Sequence, residues 1–440
     1  MPTYALSTSS VATPLVGVWL IGARGSVATT AIAGCAAVAA GLHPPVGMVT
    51  ETPPFADCGL PTLSSLVFGG HDTANCPLPK RAEELAAGGV LPYGLPSAVH
   101  TELAAADTEI RPGGPLPGDT RTDEQLIDTF ASDLRDFIRR RGLSRLVVIN
   151  VASTEPVGVG GGGGSGAASA GERAASSAEA AGDGTGSAEA LGGVDGSFGG
   201  AAASVRALAD SARGPAASGG GARLPASSLY AAAALRAGCP YVNFTPSTGL
   251  HHPLLTEAAL ASGLPYAGRD GKTGQTLLRS VLGPMFAQRA LAVRAWSGTN
   301  LLGGGDGAAL ADPAAAAAKN AGKERVLADT LGAAPEGEVH IDDVPSLGGW
   351  KTAWDHIAFD GFLGTRMVLQ TTWQGCDSSL AAPLILDLAR LTSRAHERGL
   401  SGPLPELAFY FKDPDDGASA ALAEQYGALL ALADQLRDAR

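Results

Sequence analysis

The chain has 440 residues, of which 45% are apolar and 17% are charged. A length of this order corresponds to roughly two or three domains with buried cores, which excludes a small disulfide-stabilised scaffold and a wholly disordered chain. The formal net charge is −12 and no long run of Lys or Arg is present, so the sequence lacks the positive footprint of a protein that binds phosphate backbones. We therefore expect no nucleic-acid partner.

Cysteine usage and hydropathy indicate the compartment. The five cysteines are odd in number and form no CxxC pair, which favours free thiols in a reducing cytosol over a disulfide framework or a metal site. No apolar stretch reaches the length of about 18 to 20 residues that spans a bilayer. The apolar segment near the N-terminus lacks the preceding cationic residues of a signal peptide. We expect a cytoplasmic protein with no targeting signal, no metal and no membrane partner.

Alternating strand and helix patterns predict an α/β fold. Residues 15–21 (LVGVWLI) form a nearly continuous apolar run, typical of a strand buried on both faces of a parallel sheet. A glycine turn and an Ala-rich helix follow. Further strands are predicted at residues 46–50 and 143–150, with an amphipathic helix at Asp123–Arg141 before the last of them. This order predicts a doubly wound parallel sheet.

Residues 157–222 interrupt this pattern. Most of them are Gly, Ala or Ser, and few apolar side chains are present to offset the entropy of ordering them, so we expect a flexible insertion. The regular pattern resumes with a predicted helix at residues 224–236 and a strand at 240–244. Another helix is predicted at residues 277–289.

The first candidate site is the segment Gly22-Ala23-Arg24-Gly25-Ser26, which lies between the first strand and the first helix. It is a contracted dinucleotide-binding motif, because glycines let the backbone approach a pyrophosphate and the helix N-terminus supplies donors. The alternative is a tight turn without a ligand. Glu51 is a candidate ribose partner, although it follows Gly22 by more than the usual spacing of about 20 residues.

The second candidate site is the segment from Asp270 to Thr276, which precedes a predicted helix. Its hydroxyls, its lysine and its glycine-freed amides suit a phosphate monoester, whereas the simpler interpretation is a capped helix start. Lys319 and Lys323 would share one face of a helix, where like charges repel unless an anion lies between them. Spacing alone favours solvated surface positions for these two lysines and Lys351.

Three longer strings resemble the myo-inositol-1-phosphate synthase family. They are DVPSLGGWKTAWD at residues 343–355, QGCDSSLAAP at 374–383 and GKTGQT at 271–276. The spacing of Asn300, Asp306, Lys319 and Lys323 is also similar to that family. The resemblance covers nearly the whole chain apart from residues 157–222.

The resemblance implies an NAD-dependent isomerase that makes 1D-myo-inositol 3-phosphate from glucose 6-phosphate, for inositol and phospholipid biosynthesis. In this family C5 of the sugar is oxidised, the ketone enolises by loss of a C6 proton, the ring closes by aldol attack on C1, and the hydride returns. Fixed cations would stabilise the oxyanions at C5 and C1. The family also implies a homotetramer.

Residue roles carried over from the family fall into three groups. Lys319 is expected to exchange the C5 hydroxyl proton, Lys323 and Lys351 to hold the phosphate and the C5 oxygen, and Lys412 to lie at the C1 oxygen. Asp377 is expected to orient the lysines. The substrate phosphate is expected to be held by Thr273, Gly274, Gln275 and Thr276. Cofactor contacts are expected from Gly22, Ala23, Arg24, Gly25, Ser26, Asp72, Ser153, Thr154, Asp270, Asn300 and Asp306.

The sequence also departs from the family, which keeps other functions open. Residues 22–25 lack the family's asparagine, Arg269 replaces an acidic residue, and residues 301–306 lack the usual His and Asn. A paralogue that cyclises another sugar phosphate, such as fructose 6-phosphate to a cyclopentane, is therefore an alternative. An ordinary NAD dehydrogenase and a non-catalytic NAD-binding scaffold are alternatives of other classes.

The expected organisation is a Rossmann-like domain plus an inserted α+β domain. Residues 1–276 would form the NAD-binding domain, with the insertion at 157–222. Residues 277–380 would form the catalytic and oligomerisation domain. Residues 381–440 would return to the first domain.

Overall fold

The computed structural model describes residues 13–153, 155, 223–303, 326–414 and 418–437. The predicted insertion at 157–222 lies outside these residues. Within the described ranges, no helix is long and apolar enough to cross a membrane.

The described chain contains helices and strands in alternation over its first half. The helices are α1 Ser26–Ala39, α2 Leu78–Ala87, α3 Leu95–Ala98, α4 His100–Asp107, α5 Asp123–Arg141, α6 Ala226–Arg236, α7 Pro253–Ala261, α8 Gly274–Gln288, α9 Asp377–Glu397 and α10 Leu422–Leu436. The strands are β1 Val16–Ile21, β2 Leu66–Asp72, β3 Ile110–Pro112, β4 Arg145–Asn150, β5 Tyr241–Asn243, β6 Pro265–Gly268, β7 Ala292–Leu302, β8 Val339–Asp343, β9 Trp350–Asp360, β10 Arg366–Cys376 and β11 Gly402–Pro403. Residues 326–331 are also helical.

Seven parallel strands form the first sheet, in the order β3-β2-β1-β4-β5-β6-β11. Strand order reverses between β1 and β4, which is the position where doubly wound sheets open a crevice for a ligand. In register, Ile21 pairs with His71 on one side and with Asn150 on the other. The carboxyl ends of β1, β2 and β4 therefore lie level with one another.

Strand β1 is buried on both faces, as its apolar run predicts. Val18 and Leu20 pack into a core shared with α1 and α9, whereas Trp19 and Ile21 pack against α5 and α6 on the opposite face. Helices therefore cover both sides of the sheet, and the predicted doubly wound Rossmann-like class is confirmed.

A second, four-stranded sheet has the order β10-β9-β7-β8. Strand β9 is antiparallel to both β10 and β7, whereas β7 and β8 are parallel. Phe286 of α8 packs against Trp296 and Ile357 of this sheet to form a small separate core. This arrangement brings the N-terminus of α8 beside the first residues of β9.

Two elements predicted from the sequence compare differently with the structure. The helix at Asp123–Arg141 is confirmed, with a capping box between Thr122 and Gln125 and a left-handed Gly142 at its end. The predicted strand at residues 46–50 is wrong, because Val49–Glu51 forms a single 3-10 turn. The backbone N–H groups of Val49 and Thr50 donate to the buried carboxylate of Asp387, at 2.7 and 3.3 Å, instead of to a neighbouring strand.

The second strand in chain order is β2, with the sequence LVFGGHD. Two adjacent glycines interrupt its apolar run, so the sequence pattern does not indicate a strand there. Gly70 is required there by close packing. A Cβ atom at Gly70 would lie 2.2 Å from the carbonyl oxygen of Leu20 and 2.5 Å from the Cβ of Ala23. The glycine thus permits close contact between β2, β1 and the turn that follows β1.

We expect Gly70→Ala to lower the thermal midpoint, because the added methyl group overpacks the backbone of β1 at a cost of about 1–3 kcal/mol. The matched control is Gly34→Ala in α1, where a Cβ atom would meet no atom of the described ranges within 4 Å. That variant should instead be stabilised by up to about 1 kcal/mol through helix propensity. Calorimetry of both variants would contradict the packing account if Gly70→Ala melted at or above the wild-type temperature.

Candidate functional site

A cleft of about 1030 Å³ lies at the carboxyl edge of the first sheet and extends to the second sheet. At one end it is lined by the turn after β1 and by residues after β2 and β4. At the other end it is lined by the segment before α8, the start of β9 and the start of α9. Both candidate sites predicted from the sequence therefore face a single cleft.

The turn after β1 is held tightly against neighbouring backbone. Gly22 has a φ of +86°, and a Cβ atom there would lie 2.7 Å from the Cα of Ala152. The N–H groups of Gly22 and Ala23 both donate to the carbonyl oxygen of His71, at 2.9 and 3.2 Å. Only glycine satisfies both the conformation and the space at position 22.

Helix α1 begins in this turn with an open N-terminus. Among the described residues no side chain caps it, and its first turn contains no acidic residue. The first amides of a helix have no intrahelical partner and carry the positive end of the helix dipole. Gly25 and Ser26 line the cleft at this point. The residues present therefore fit the pyrophosphate of a dinucleotide.

Asp72 ends β2 and lines the same part of the cleft. Its two carboxylate oxygens accept hydrogen bonds from the backbone N–H groups of Arg24, at 2.6 Å, and Ala74, at 2.7 Å. This is the strand end at which an acidic residue contacts a ribose in the dinucleotide fold. Glu51, the ribose partner considered from spacing, is instead paired with Arg390 at 2.5 Å and is not among the residues that line the cleft.

The segment before α8 forms an anion-compatible corner at the other end of the cleft. The Lys351 ammonium, from β9, is paired with Asp377 at the start of α9, and the hydroxyl of Thr273 donates to the same carboxylate oxygen at 3.1 Å. Gly274 begins α8 with a φ of +52°, and a Cβ atom there would lie 3.2 Å from the Lys351 ammonium. The glycine thus lets a cation approach the helix N-terminus closely.

A second lysine–aspartate pair lies nearby. The Lys412 ammonium donates to Asp270 at 3.0 Å, and the backbone N–H of Lys412 donates to the carbonyl oxygen of Asp270 at 2.7 Å. The Lys351 and Lys412 side chains are only 13% and 11% exposed. In such partly desolvated positions a fixed ammonium stabilises negative charge more strongly than water does.

Three predicted ligands lie behind this corner rather than on the cleft surface. Gln275 is buried and donates to Asp355 at 2.8 Å, while it accepts a hydrogen bond from Asn300 at 2.9 Å. Thr276 is buried, and its hydroxyl has no hydrogen-bond partner within the described part of the chain. The network supports the start of α8, and the ligand roles of Gln275, Thr276 and Asn300 stay predictions.

Four predicted site residues, Thr154, Asp306, Lys319 and Lys323, lie outside the described residues. Ser153, the neighbour of Thr154, lines the cleft after β4.

Lys272 is a buried lysine in the segment before α8. Its side chain donates to the amide oxygen of Gln425 on α10, and its ammonium lies 5.9 Å from the ring centroid of Phe409. Burial lowers the pKa of Lys272 to about 7. This segment is thereby tied to the C-terminal helix through a group that is easily deprotonated.

Comparison with known proteins agrees with this geometry. Residues 16–159 and residues 274–378 each match the myo-inositol-1-phosphate synthase family, the first through its NAD-binding domain. The chain belongs to the myo-inositol-1-phosphate synthase family. Inositol-3-phosphate synthase 1 of Bacteroides thetaiotaomicron is 29% identical over 92% of this chain and 90% of its own length.

Two solved structures share the fold. Inositol-3-phosphate synthase from Caenorhabditis elegans superposes with a TM-score of 0.75 at 20% identity, over 97% of this chain and 86% of the other. A myo-inositol-1-phosphate synthase-related protein from Thermotoga maritima gives a TM-score of 0.67 at 23% identity, over 96% and 98%.

Membership of the myo-inositol-1-phosphate synthase family, with a matched NAD-binding domain, confirms NAD as the cofactor. The residues that fit it are the turn from Gly22 to Ser26 and Asp72, as described above. Asp270 and Ser153 also line the cleft.

Several polar residues that line the cleft were not predicted from the sequence. Thr245 and Ser247 follow β5, and Glu155 follows β4. Because ligands bind beyond the carboxyl ends of parallel strands, these positions could have indicated cleft residues. The carboxylate of Glu155 accepts two hydrogen bonds from Ser227 at the start of α6. One comes from the Ser227 hydroxyl at 2.7 Å, and the other comes from the Ser227 backbone N–H. Arg81 of α2 was also missed.

We expect Lys272→Met to change the pH dependence of stability. The pKa of Lys272 is lowered in the folded state, so folding releases its proton and the wild type gains stability as pH rises from about 7 toward 10. Methionine removes this contribution. The difference in the free energy of unfolding, wild type minus variant, should increase with pH across that range, at up to about 1.4 kcal/mol per pH unit. Denaturant unfolding of both proteins at several pH values measures it.

Lys80→Met, at an exposed lysine, is the control and should show a flat difference. A flat difference for Lys272→Met as well would show that Lys272 titrates normally.

Proposed function

We propose that this chain catalyses the NAD-dependent, redox-neutral cyclisation of glucose 6-phosphate to 1D-myo-inositol 3-phosphate. The observation that supports this most directly is the placement of Lys351 and Lys412. Each is paired with an aspartate, and both line the cleft that also contains the glycine turn and the open start of α1. Relatives over most of the chain are named inositol-3-phosphate synthase.

The reaction is an isomerisation, so it needs cations and proton carriers more than an external oxidant. The turn from Gly22 to Ser26 and Asp72 would hold NAD, which would supply removal of a hydride from the substrate and its later return. Between removal of the hydride and its return, transfer of a C6 proton from the C5 ketone to the substrate phosphate leaves negative charge on the C5 oxygen. Attack of C6 on C1 then forms the ring bond and places negative charge on the C1 oxygen. Each oxyanion requires a fixed positive charge in a site with little water.

Lys351 and the start of α8 bind the substrate phosphate and the C5 oxygen in this proposal. Thr273 and the amide end of α8 lie beside the Lys351 ammonium, so one corner offers a charge, a hydroxyl and a helix N-terminus to one anion. Lys323 shares this role, and the backbone amides of Gly274, Gln275 and Thr276 at the start of α8 complete the cradle. Lys319 exchanges the C5 hydroxyl proton.

Lys412 stabilises the C1 oxygen during ring closure. Asp270 and Asp377 hold the two ammonium groups in place when no oxyanion is present, which fixes their direction before the reaction. Asp306 and Asn300 complete the nicotinamide end. A cation that is already oriented costs no reorganisation when charge develops.

A second candidate function is cyclisation of another sugar phosphate, such as fructose 6-phosphate. Leu302 and Gly303 line the cleft and offer no side-chain hydrogen bond to a hydroxyl. Discrimination between isomeric hexose phosphates depends on such hydrogen bonds, because an unpaired buried polar group is costly.

The organisation we propose for this activity follows the sequence expectation. Residues 1–276 form the NAD-binding domain, 277–380 the catalytic and oligomerisation domain, and 381–440 the return to the first domain. The protein acts as a cytoplasmic homotetramer in inositol and phospholipid biosynthesis.

We expect phosphorus and proton NMR to detect conversion of glucose 6-phosphate to an inositol phosphate when the protein is incubated with NAD, without net NADH. Lys351→Met should reduce this turnover by roughly a hundredfold or more while NAD binding persists, because one oxyanion loses its cation. Lys80→Met, which removes an exposed lysine, should leave turnover unchanged.

Parallel incubation with fructose 6-phosphate separates the two candidate functions. Conversion of fructose 6-phosphate alone would favour the paralogue. Net accumulation of NADH would favour an ordinary dehydrogenase, and inertness toward both sugars together with intact NAD binding would favour a scaffold. Full turnover by Lys351→Met would contradict the assignment of Lys351.

A further inference from the structure

Arg81 of α2 places a positive charge at the start of α1. One guanidinium nitrogen donates to the hydroxyl of Ser26 at 2.9 Å, and another donates to Glu84 at 2.8 Å. Ser26 is the first residue of α1, and both Ser26 and Arg81 line the cleft. The guanidinium and the helix N-terminus therefore converge on one region.

Arg81 already has one anionic partner, because Glu84 accepts a hydrogen bond from its guanidinium and also lines the cleft. The N-terminus of α1 carries positive partial charge, and a guanidinium beside it is repelled. The first turn of α1 contains no acidic residue, and Glu84 lies on the same helix as Arg81, three residues away. The Arg81 side chain is 34% exposed, so it remains accessible from the cleft. An anion that contacts both groups would convert the repulsion into attraction.

Arg24, which also lies near this turn, forms hydrogen bonds away from Ser26. The guanidinium of Arg24 donates to Asp107 at 3.0 Å and to the carbonyl oxygen of Ala74 at 2.9 Å, and its side chain is only 18% exposed. It is directed toward α4 and the segment after β2. Arg81 is the arginine directed toward Ser26.

We infer that Arg81 binds the pyrophosphate of NAD from α2, together with the amide end of α1. Guanidinium groups suit this role because they donate two parallel hydrogen bonds to phosphate oxygens and stay charged at all working pH values. Ser26 positions the guanidinium through its hydroxyl. The inference depends on NAD binding and is independent of the sugar that the enzyme uses.

The test compares adenine ligands that differ in their phosphates. Adenosine, AMP and ADP would displace NADH from the full-length protein, with NADH fluorescence as the readout and no sugar phosphate present. In Arg81→Gln, affinity for ADP and for NADH should fall about tenfold, as expected for loss of a charged hydrogen bond. Affinity for adenosine should not change. Arg81→Lys, which keeps the charge but loses the fork, should lose less than Arg81→Gln.

Arg139→Gln is the matched control, because Arg139 is exposed on α5 and also pairs with a carboxylate three residues away. It should bind every ligand as the wild type does. Equal losses for adenosine and ADP in Arg81→Gln would overturn the inference, since a merely structural role affects both. Unchanged ADP affinity in both Arg81 variants, or a wild-type protein that does not bind NADH, would also overturn it. An inactive enzyme that shows the expected ADP loss would contradict the proposed cyclisation but not the role of Arg81.

Discussion

The position of β1 is the constraint on which the rest of the structure depends. It is buried on both faces and is flanked by a parallel strand on each side. The chain that leaves β1 therefore turns at the carboxyl edge of the sheet, where the cleft lies. Gly22 makes that turn with a positive φ against the backbone of Ala152. Helix α1 consequently begins at the crevice with its amide groups unused. The cofactor end of the cleft thus follows from the packing of β1 and of the turn after it.

The substrate end is built differently, by electrostatic pairing between distant parts of the chain. Lys351 belongs to the second sheet, and its partner Asp377 begins the helix that returns to the first sheet. Lys412 comes from the C-terminal segment, and Asp270 follows β6. Burial of an ammonium is costly unless it is paired, so each aspartate offsets the desolvation of its lysine. The corner therefore forms only when both sheets and the C-terminal segment are assembled.

Local sequence patterns predicted those parts of the fold that depend on local interactions. The helix at Asp123–Arg141 has its cap, its apolar face and its terminal glycine in the sequence, and β1 has its apolar run. Strand β2 could not be recognised in the same way. Its Gly70 is required by close packing against Leu20, and that contact joins residues that are far apart in the sequence. The segment at 46–50 has the sequence pattern of a strand. Its backbone N–H groups at Val49 and Thr50 instead donate to Asp387, over 300 residues later, which local sequence does not indicate.

The same distinction applies to the site. Family resemblance indicated Lys351, Lys412 and Asp377, and the structure places all three at one cleft, whereas their roles stay predictions. Gln275 and Asn300 were expected on the surface of the cleft but lie in a buried network around Asp355. No sequence pattern indicated Arg81, because arginines are common on amphipathic helices. Its contact with Ser26 depends on how α2 packs beside α1.

The central claim is that the hydride removed from the sugar returns to it within one turnover. The most direct measurement uses glucose 6-phosphate with deuterium at C5, a catalytic amount of NAD and NMR analysis of the product. The account predicts a cyclised phosphate that keeps its deuterium at the carbon derived from C5, with no net formation of reduced cofactor. Deuterium found in accumulated reduced cofactor, or an oxidised open-chain sugar as the product, would contradict it.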